Sequence, residues 1–459
     1  MKMRKILTLG LAAILAIGTV TGCGEKKENG KVAITIGNAP TEGQDTYENY
    51  MKTVEDFNTA HPEIDMKPST YIYDTSNFMA KAAAKQLPTA WSTYFTEVDL
   101  ISEQGYCKDI SENLKNTGLL EVLNPNSLEV VTGDNGEIWG IPYGAYAQGL
   151  HINKKLFAEA GLVNEDGSVK IPQTWVEVAE FASIIKEKTG QAGFIMPSIN
   201  NIGGWHFVNI AWSYGTEFMK QNDDGSWKAT FNSKEFKDAL SWLYDAKWNK
   251  NALFDSAAID IPTMQKYFGT YQAGMYIANA PVQELVTQYG MNKDDIMCVR
   301  MPAGPEGRVS QTGGNIIMFN ADATNEEIDA AILWYMETGG FSAEVTEDTL
   351  KTTEENLKLD SEAGRIIMKD SFPNMVNRKG EEKLDELKEK YINVSDENFG
   401  DYLSYEDVQL KPEEPVACQE LYAVLDGIVQ EILTNKGVDI DALTEKAVSD
   451  FQANHLDNL

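Results

Sequence analysis

The chain has 459 residues, 42% hydrophobic and 24% charged, with a formal net charge of -31 at pH 7. That acidity excludes nucleic acid and anionic membrane surfaces as partners, and the length calls for more than one core, so two lobes or domains are expected. Four cysteines without a CxxC spacing and four scattered histidines exclude a disulfide scaffold and offer no zinc-ligand pattern.

Met1-Lys2-Met3-Arg4-Lys5 precedes an apolar run from Ile6 to Gly18, followed by Val20-Thr21-Gly22-Cys23. A basic head, an apolar stretch too short for a comfortable span and small residues before a cysteine make up this end. It resembles a bacterial lipoprotein signal. The resemblance implies removal of residues 1–22 and a diacylglyceryl group on Cys23. Two acyl chains hold firmly, since each buried methylene contributes roughly 0.8 kcal/mol. Residues 23–30 then read as a lipidated, polar, flexible tether.

Lys31 to Asn38 alternates as a first strand. Asp45 reads as the cap of a helix with Glu48 three residues on, and Tyr47, Tyr50, Met51, Val54 and Phe57 share one face before His61-Pro62 stops it. Ile64 and Met66 open a second strand, Ser76 to Gln86 is an Ala-rich helix, and Ala90 to Tyr94 is a third strand. Such alternation predicts a parallel sheet flanked by helices, with ligands gathering at the strands' carboxyl ends, here Asn38–Gln44 and Tyr94–Glu97.

Ile138 to Asn153, IWGIPYGAYAQGLHIN, holds no Asp, Glu, Lys or Arg. Pro142 blocks a continuous helix, so an extended segment is predicted, with Trp139, Tyr143 and Tyr146 set between glycines. It reads either as a buried strand or as a crossover that lines a cleft. Pro172-Gln173-Thr174-Trp175 then starts a helix capped by Thr174 and Glu177 and ended by Gly190. Ala192 to Pro197 is a strand, and Asn200 to Tyr214 a Gly- and Trp-containing segment. Asn222-Asp223-Asp224-Gly225 looks like part of a calcium loop but lacks the closing acid, which favours a hairpin turn. Further strands are predicted over Gly274–Asn279, Ile296–Met301 and Asn315–Asn320, and helices over 325–337 and 381–390. Apolar stripes through Leu421–Ile432 and Leu443–Phe451 complete the chain.

The order of these motifs resembles the extracellular solute-binding proteins of carbohydrate ABC transporters, the family that includes maltose-binding protein. The marks are Trp139-Gly140-Ile141-Pro142-Tyr143 running on to His151-Ile152-Asn153, then Pro172-Gln173-Thr174-Trp175. Phe268 to Met275, Met301 to Gly307 and Gly313-Gly314-Asn315 follow. The resemblance implies an α/β, two-lobed periplasmic-binding-protein-like fold of type II. Each lobe would be a mostly parallel sheet flanked by helices, with a ligand cleft at the hinge. It puts 31–145 and 278–320 in the N-terminal lobe, and 146–277 and 321–459 in the C-terminal lobe.

The resemblance further implies a saccharide ligand and delivery to a membrane permease by a monomer with neither metal nor cofactor. No GxxxxGK[ST] motif occurs, so the ATPase is expected as a separate subunit. A pyranose offers an apolar face to an aromatic ring and a rim of hydroxyls that need partners once dry. The stretches matching the family's contacts give Tyr94, Thr96, Glu97, Tyr143, Tyr146, Gln148, Ser198, Asn200, Trp205, Asn279, Gly314 and Asn315. Tyr143 and Trp205 are the expected stacking platforms, and Glu97, Gln148, Asn279 and Asn315 the hydroxyl partners. Val282 and Leu421 stand where the maltose-binding member has tryptophans, which favours a saccharide other than maltodextrin. The rival expectations are another solute on the same scaffold, such as iron held by paired tyrosines or a polyol, a cell-surface carbohydrate-active enzyme, or a purely structural lipoprotein.

Overall fold

The computed structural model describes residues 27–28, 30–44, 46–75, 77–405 and 407–459. The expected signal segment, Cys23, the Asp45 cap and Ser76 lie outside them. The first lobe begins with β1 (Lys27–Glu28), β2 (Lys31–Ile36), β3 (Ile64–Pro68) and β4 (Ala90–Tyr94). β1 pairs with β2, so part of the expected tether is strand. Helix Tyr47–Ala60 buries Val54 and Phe57 and ends at His61, before Pro62, as its apolar face predicts.

The uncharged stretch is extended throughout, as β5 (Gly140–Ala147) and β6 (Gly149–Asn153). β5 lies in the first sheet and β6 in the second, so the chain crosses between lobes at Gln148. The second lobe adds β7 (Ala192–Phe194), the hairpin β8 (Met219–Gln221) and β9 (Trp227–Ala229), β10 (Ala273–Ala278) and β11 (Ile296–Val299). The chain returns on β12 (Arg308–Phe319), and β13 (Val408–Pro412) follows much later.

Both sheets are mixed rather than mostly parallel. In the first, β2 runs parallel to β3 and β4, and β13 parallel to β12, while β12 is antiparallel to both β4 and β5. In the second, the order is β11-β6-β10-β7, and only β10 with β7 is parallel. These antiparallel pairs are all long-range: β6 sits between β10 and β11, and β12 between β4 and β5, each partner more than a hundred residues away in the chain.

Core packing also corrects the expected lobe boundaries. One core gathers Ile34, Phe57, Trp91, Ile141 and Ile316–Phe319 with Ile328, Ile332 and Trp334. Helix Asn325–Thr338 therefore belongs to the first lobe, its Trp334 ring edge-on to Phe57 at a centroid distance of 5.2 Å. Conversely, β11 pairs with β6, and Met297, Val299, Met301 and Val309 pack in the second lobe's core. The returning piece of the first lobe thus begins within β12 rather than at 278 and runs past 320. β12 carries Val309 in one core and Ile316 in the other, with an irregularity between Gly313 and Asn315.

The segment from Asn200 is a helix, Ile202–Ser213, preceded by Asn200 and Asn201 at φ 60° and 67°. Asn tolerates this left-handed conformation better than most residues. Gly204 lets the helix approach helix Cys418–Thr434, where an added Cβ would fall against the Tyr422 backbone. Among the elements without a sequence expectation are the short helices Val98–Glu103, Ser111–Thr117 and Pro125–Val130, helix Glu347–Glu362, which buries none of its residues, and β13. No helix among the described residues is long and apolar enough to cross a membrane.

Candidate functional site

The carboxyl ends of β3 and β4 face the second lobe across a cleft of about 1330 Å³. First-lobe residues Tyr73, Thr96, Glu97 and Leu100 line one wall; Trp227, Val416 and Glu420 line the other. A smaller cavity of about 510 Å³ shares Tyr73 and Thr75 with it and adds Ile72, Tyr94, Asn201 and Gln419. Ile72, Met79, Tyr94 and Leu100 are all exposed large apolar side chains on the first-lobe wall. They line the two adjoining cavities, Ile72 and Tyr94 the smaller and Met79 and Leu100 the larger, and exposed apolar side chains in a concavity are what ligand sites commonly present.

Tyr94 ends β4 with its ring 48% exposed and stands edge-on to Tyr73, at a centroid distance of 6.3 Å. Glu97 is buried; its carboxylate accepts from the Tyr73 hydroxyl and, at 3.0 Å, from that of Thr96. Burial pushes its carboxyl up, the two hydroxyls pull it back, and the charge of Glu420 across the cleft pushes it up again.

Of the residues expected from the sequence, Tyr94, Thr96 and Glu97 line these cavities. Tyr143 is half-buried, its hydroxyl engaged with that of Ser92, and it packs against the first core instead of presenting a free face. Tyr146 and Trp205 meet between the lobes. Gln148 is not a free hydroxyl partner. It is 1% exposed, its Oε1 accepting from Asn209 Nδ2 at 2.5 Å and its backbone N–H donating to Ser310 Oγ. Ser198 is fully buried with its hydroxyl on the Ala257 carbonyl. Asn200 and Asn279 are exposed and line neither cavity. Gly314 lies against the Phe95 ring, and Asn315 sits in β12 between Tyr94 and Tyr143. Val282 and Leu421 are core residues.

Sequence reasoning missed Ile72, Tyr73, Thr75, Asn201 and Gln419. The first three follow the carboxyl end of β3, so the strand-end rule applied there as it was to β2 and β4 points to them. The second-lobe pair left no local signal.

At the crossing, Glu413 accepts from Tyr422 Oη at 2.8 Å and from Gln311 Nε2 at 3.2 Å. Its carboxyl is pushed up to about 7 by burial, tempered by the Tyr422 bond and pushed further by the charge of Glu97. Elsewhere, Cys298 Sγ and His151 Nδ1 lie 3.6 Å apart, but both residues are fully buried. Burial holds the thiol up and the imidazole down to about 3, so neither takes the charge that a nucleophile and its base require. Cys107, Cys298 and Cys418 are unpaired and buried.

Residues 40–337 match the family model described as bacterial extracellular solute-binding protein. A binding protein of Brucella abortus is 26% identical over 245 residues, which are 52% of this chain and 54% of the relative. The chain thus spans about half the length of the curated relatives it matches. Among solved structures, the GacH receptor of Streptomyces glaucescens, studied unliganded and with acarbose, superposes with a TM-score of 0.64 at 16% identity. That match covers 92% of this chain and 98% of the other. Maltose-bound MalE3 of T. maritima gives 0.63 at 18%, covering 92% and 99%. These likenesses share the two-lobed fold.

Proposed function

The chain belongs to the bacterial extracellular solute-binding protein family, and from that premise we propose that it captures a saccharide between its lobes and hands it to the permease of an ABC importer, performing no chemistry. The observation that carries this is the inter-lobe cleft lined by Tyr73, Thr96 and Glu97, joined through Tyr73 to a smaller cavity in whose wall the Tyr94 ring is half exposed. A ring face takes the apolar side of a sugar, and fixed polar groups around it select the hydroxyls. An unmatched buried hydroxyl costs roughly 1–3 kcal/mol, which is how such a rim discriminates.

Tyr94 replaces both Tyr143 and Trp205 as the stacking platform in this reading, since Trp205 lines neither cavity and is engaged with Tyr146. Thr96 and Glu97 are the hydroxyl partners, in place of Gln148 and Asn279, together with the free polar atoms of the Asn201–Gln419 pair, whose side chains line the smaller cavity while Asn201 Nδ2 donates to Gln419 Oε1 at 3.3 Å. The space exceeds the roughly 300–1,000 Å³ of common small-molecule pockets, which favours an oligosaccharide over a single ring. The hydroxyls of Tyr143 and Tyr146 are engaged with Ser92 and Trp205, which speaks against an iron site made from that pair. Cys23 carries the lipid anchor in this proposal, and the ATPase is a separate subunit.

A thermal-shift screen of the purified protein against mono- and oligosaccharides tests the proposal. A raised melting temperature with one saccharide family is the expected result. Turnover of a glycan, or iron-dependent colour without any saccharide shift, would overturn it.

A further inference from the structure

Among the described residues, Trp227 is the one tryptophan that lines either cavity. Four others donate their indole N–H to the protein: Trp205 to Tyr146, Trp212 to Glu414, Trp242 to the Trp175 carbonyl and Trp248 to the Ile432 carbonyl. Trp91 and Trp175 seal theirs in the interior. Trp227 does neither. Its Nε1 has no partner among the described residues and is not buried, although the side chain rests partly on the second lobe's core. The N–H is therefore open on a residue of the cleft wall.

The backbone under this ring is held from both sides. β8 and β9 pair from Met219 with Ala229 to Gln221 with Trp227, and Asn222 Nδ2 donates to Ser226 Oγ at 2.9 Å across the turn. On the other edge of β9, Gln452 stands in for a strand. Its Oε1 accepts from the Ala229 N–H at 2.7 Å, and its Nε2 donates to the Trp227 carbonyl at 3.0 Å and to Asp457 Oδ1 at 2.6 Å. Helix Ile440–Asn454 thus fastens the hairpin and the last residues of the chain into one wall of the larger cavity. A side chain fixed in this way does not have to be ordered when a ligand arrives. On the opposite wall, helix Val98–Glu103 of the first lobe presents Leu100, 43% exposed. Tyr94 lines the smaller cavity only, and Trp227 the larger only.

We propose that Trp227 is a second saccharide platform, on the opposite lobe from Tyr94 and with Leu100 across the gap. The ligand is then an oligosaccharide long enough to rest one ring on Tyr94 and another on Trp227. The indole takes the apolar side of a pyranose, and its open N–H donates to one of that ring's hydroxyls. Because the two platforms belong to different lobes, a ligand that reaches both bridges them, whereas a shorter one engages a single platform. The inference rests on the saccharide reading above.

Calorimetric titration with the disaccharide and the pentasaccharide of four series tests it: β-1,4-linked glucose, β-1,4-linked xylose, β-1,3-linked glucose and α-1,4-linked glucose. In the series that binds, the pentasaccharide is expected to bind about tenfold tighter than the disaccharide. Trp227→Ala brings the two within about threefold by weakening the pentasaccharide alone. Leu100→Ala, at an exposed position where truncation disturbs the fold little, narrows the ratio in the same direction, and each variant's melting curve reports whether it folds. A pentasaccharide advantage that survives in folded Trp227→Ala overturns the inference. Where Trp227→Ala does not fold, an unchanged ratio in Leu100→Ala overturns it. Equal affinity for both lengths in the native protein also removes the second platform, and the saccharide reading stands. If no member of any series binds, the saccharide reading falls and the platform with it.

Discussion

The indole Nε1 of Trp205 donates to the Tyr146 hydroxyl at 3.3 Å, the two rings meeting edge to face with centroids 5.8 Å apart. Tyr146 belongs to β5 of the first sheet, while Trp205 packs on the second lobe's core. The contact therefore ties the lobes together, and neither ring lines the cavities between them. Trp205→Ala is expected to lower the stability of the ligand-free protein by roughly 1–3 kcal/mol, short of a full core truncation. The midpoint of urea denaturation measures this; an unmoved midpoint would mean that the indole carries no packing energy.

Tyr94 is the opposite case. Its ring is 48% exposed and its hydroxyl makes no bond among the described residues, so removing it costs the fold little. Tyr94→Ala should leave the ligand-free melting temperature within about a degree, since surface changes fall within ±0.5 kcal/mol. It should cut the affinity for the screened saccharide at least tenfold by calorimetry. Retained affinity would take Tyr94 out of the stacking role.

Glu413 gives the pH dependence a sign. Its folded carboxyl titrates at about 7, above the ordinary value of 4.5, chiefly because it is buried. The folded state therefore holds this proton more tightly than the unfolded chain. That stabilisation is fully present below about pH 4.5 and is lost as pH rises through 7, a change of no more than about 3 kcal/mol and less with solvent screening. Melting temperatures of the native protein and Glu413→Gln should converge in acid and separate above pH 6, the variant melting higher. Parallel curves would place the titration on another group.

His206 works in the other direction. Burial lowers its imidazole to about 4, although both ring nitrogens face carbonyl oxygens, those of Ile202 and Ile277. The neutral ring is kept in the fold while the unfolded chain takes the proton, so stability falls as pH drops from 6.5 through 4. His206→Gln should flatten that acid limb in a denaturation series. A limb of unchanged steepness in a folded variant would exclude His206 as its source.

The turn that looked like a calcium loop is closed by its own side chains. Asp224 Oδ1 accepts from the Ser226 backbone N–H at 3.0 Å and from Ser226 Oγ at 2.6 Å, and the loop joins β8 to β9. Adding calcium or chelator should therefore leave the melting temperature unchanged. A calcium-dependent rise that Asp224→Ala abolishes would show a site there.

Local chemistry made much of the fold legible in the sequence. Thr174 caps its helix as the Thr-x-x-Glu spacing predicts, and the apolar stripe through Leu421, Leu425, Ile428 and Ile432 is buried along its length. The absence of charge in the second half of the uncharged stretch fits β6, all five residues of which are buried, whereas β5 is only partly covered from Tyr143 to Tyr146. The lobe boundary was hidden because Gly313 and Gly314 break the apolar alternation of β12, so only the half after them reads as strand. Candidate contacts divided on orientation: Gln148 and Tyr94 lie equally close to matched motifs, and nothing local tells that one turns into Asn209 and the other into open space.

That interrupted strand is shared by both lobes. An added Cβ at Gly313 would meet the Tyr146 hydroxyl at 2.5 Å, and one at Gly314 the Phe95 ring at 2.5 Å, so both positions are held free of side chains. The irregularity in the ladder falls between the two halves of β12, each of which packs in its own core. A side chain at either glycine would press on Tyr146 or Phe95 where the two cores meet, so bulk there is expected to disturb the junction of the lobes while sparing the packing of each half.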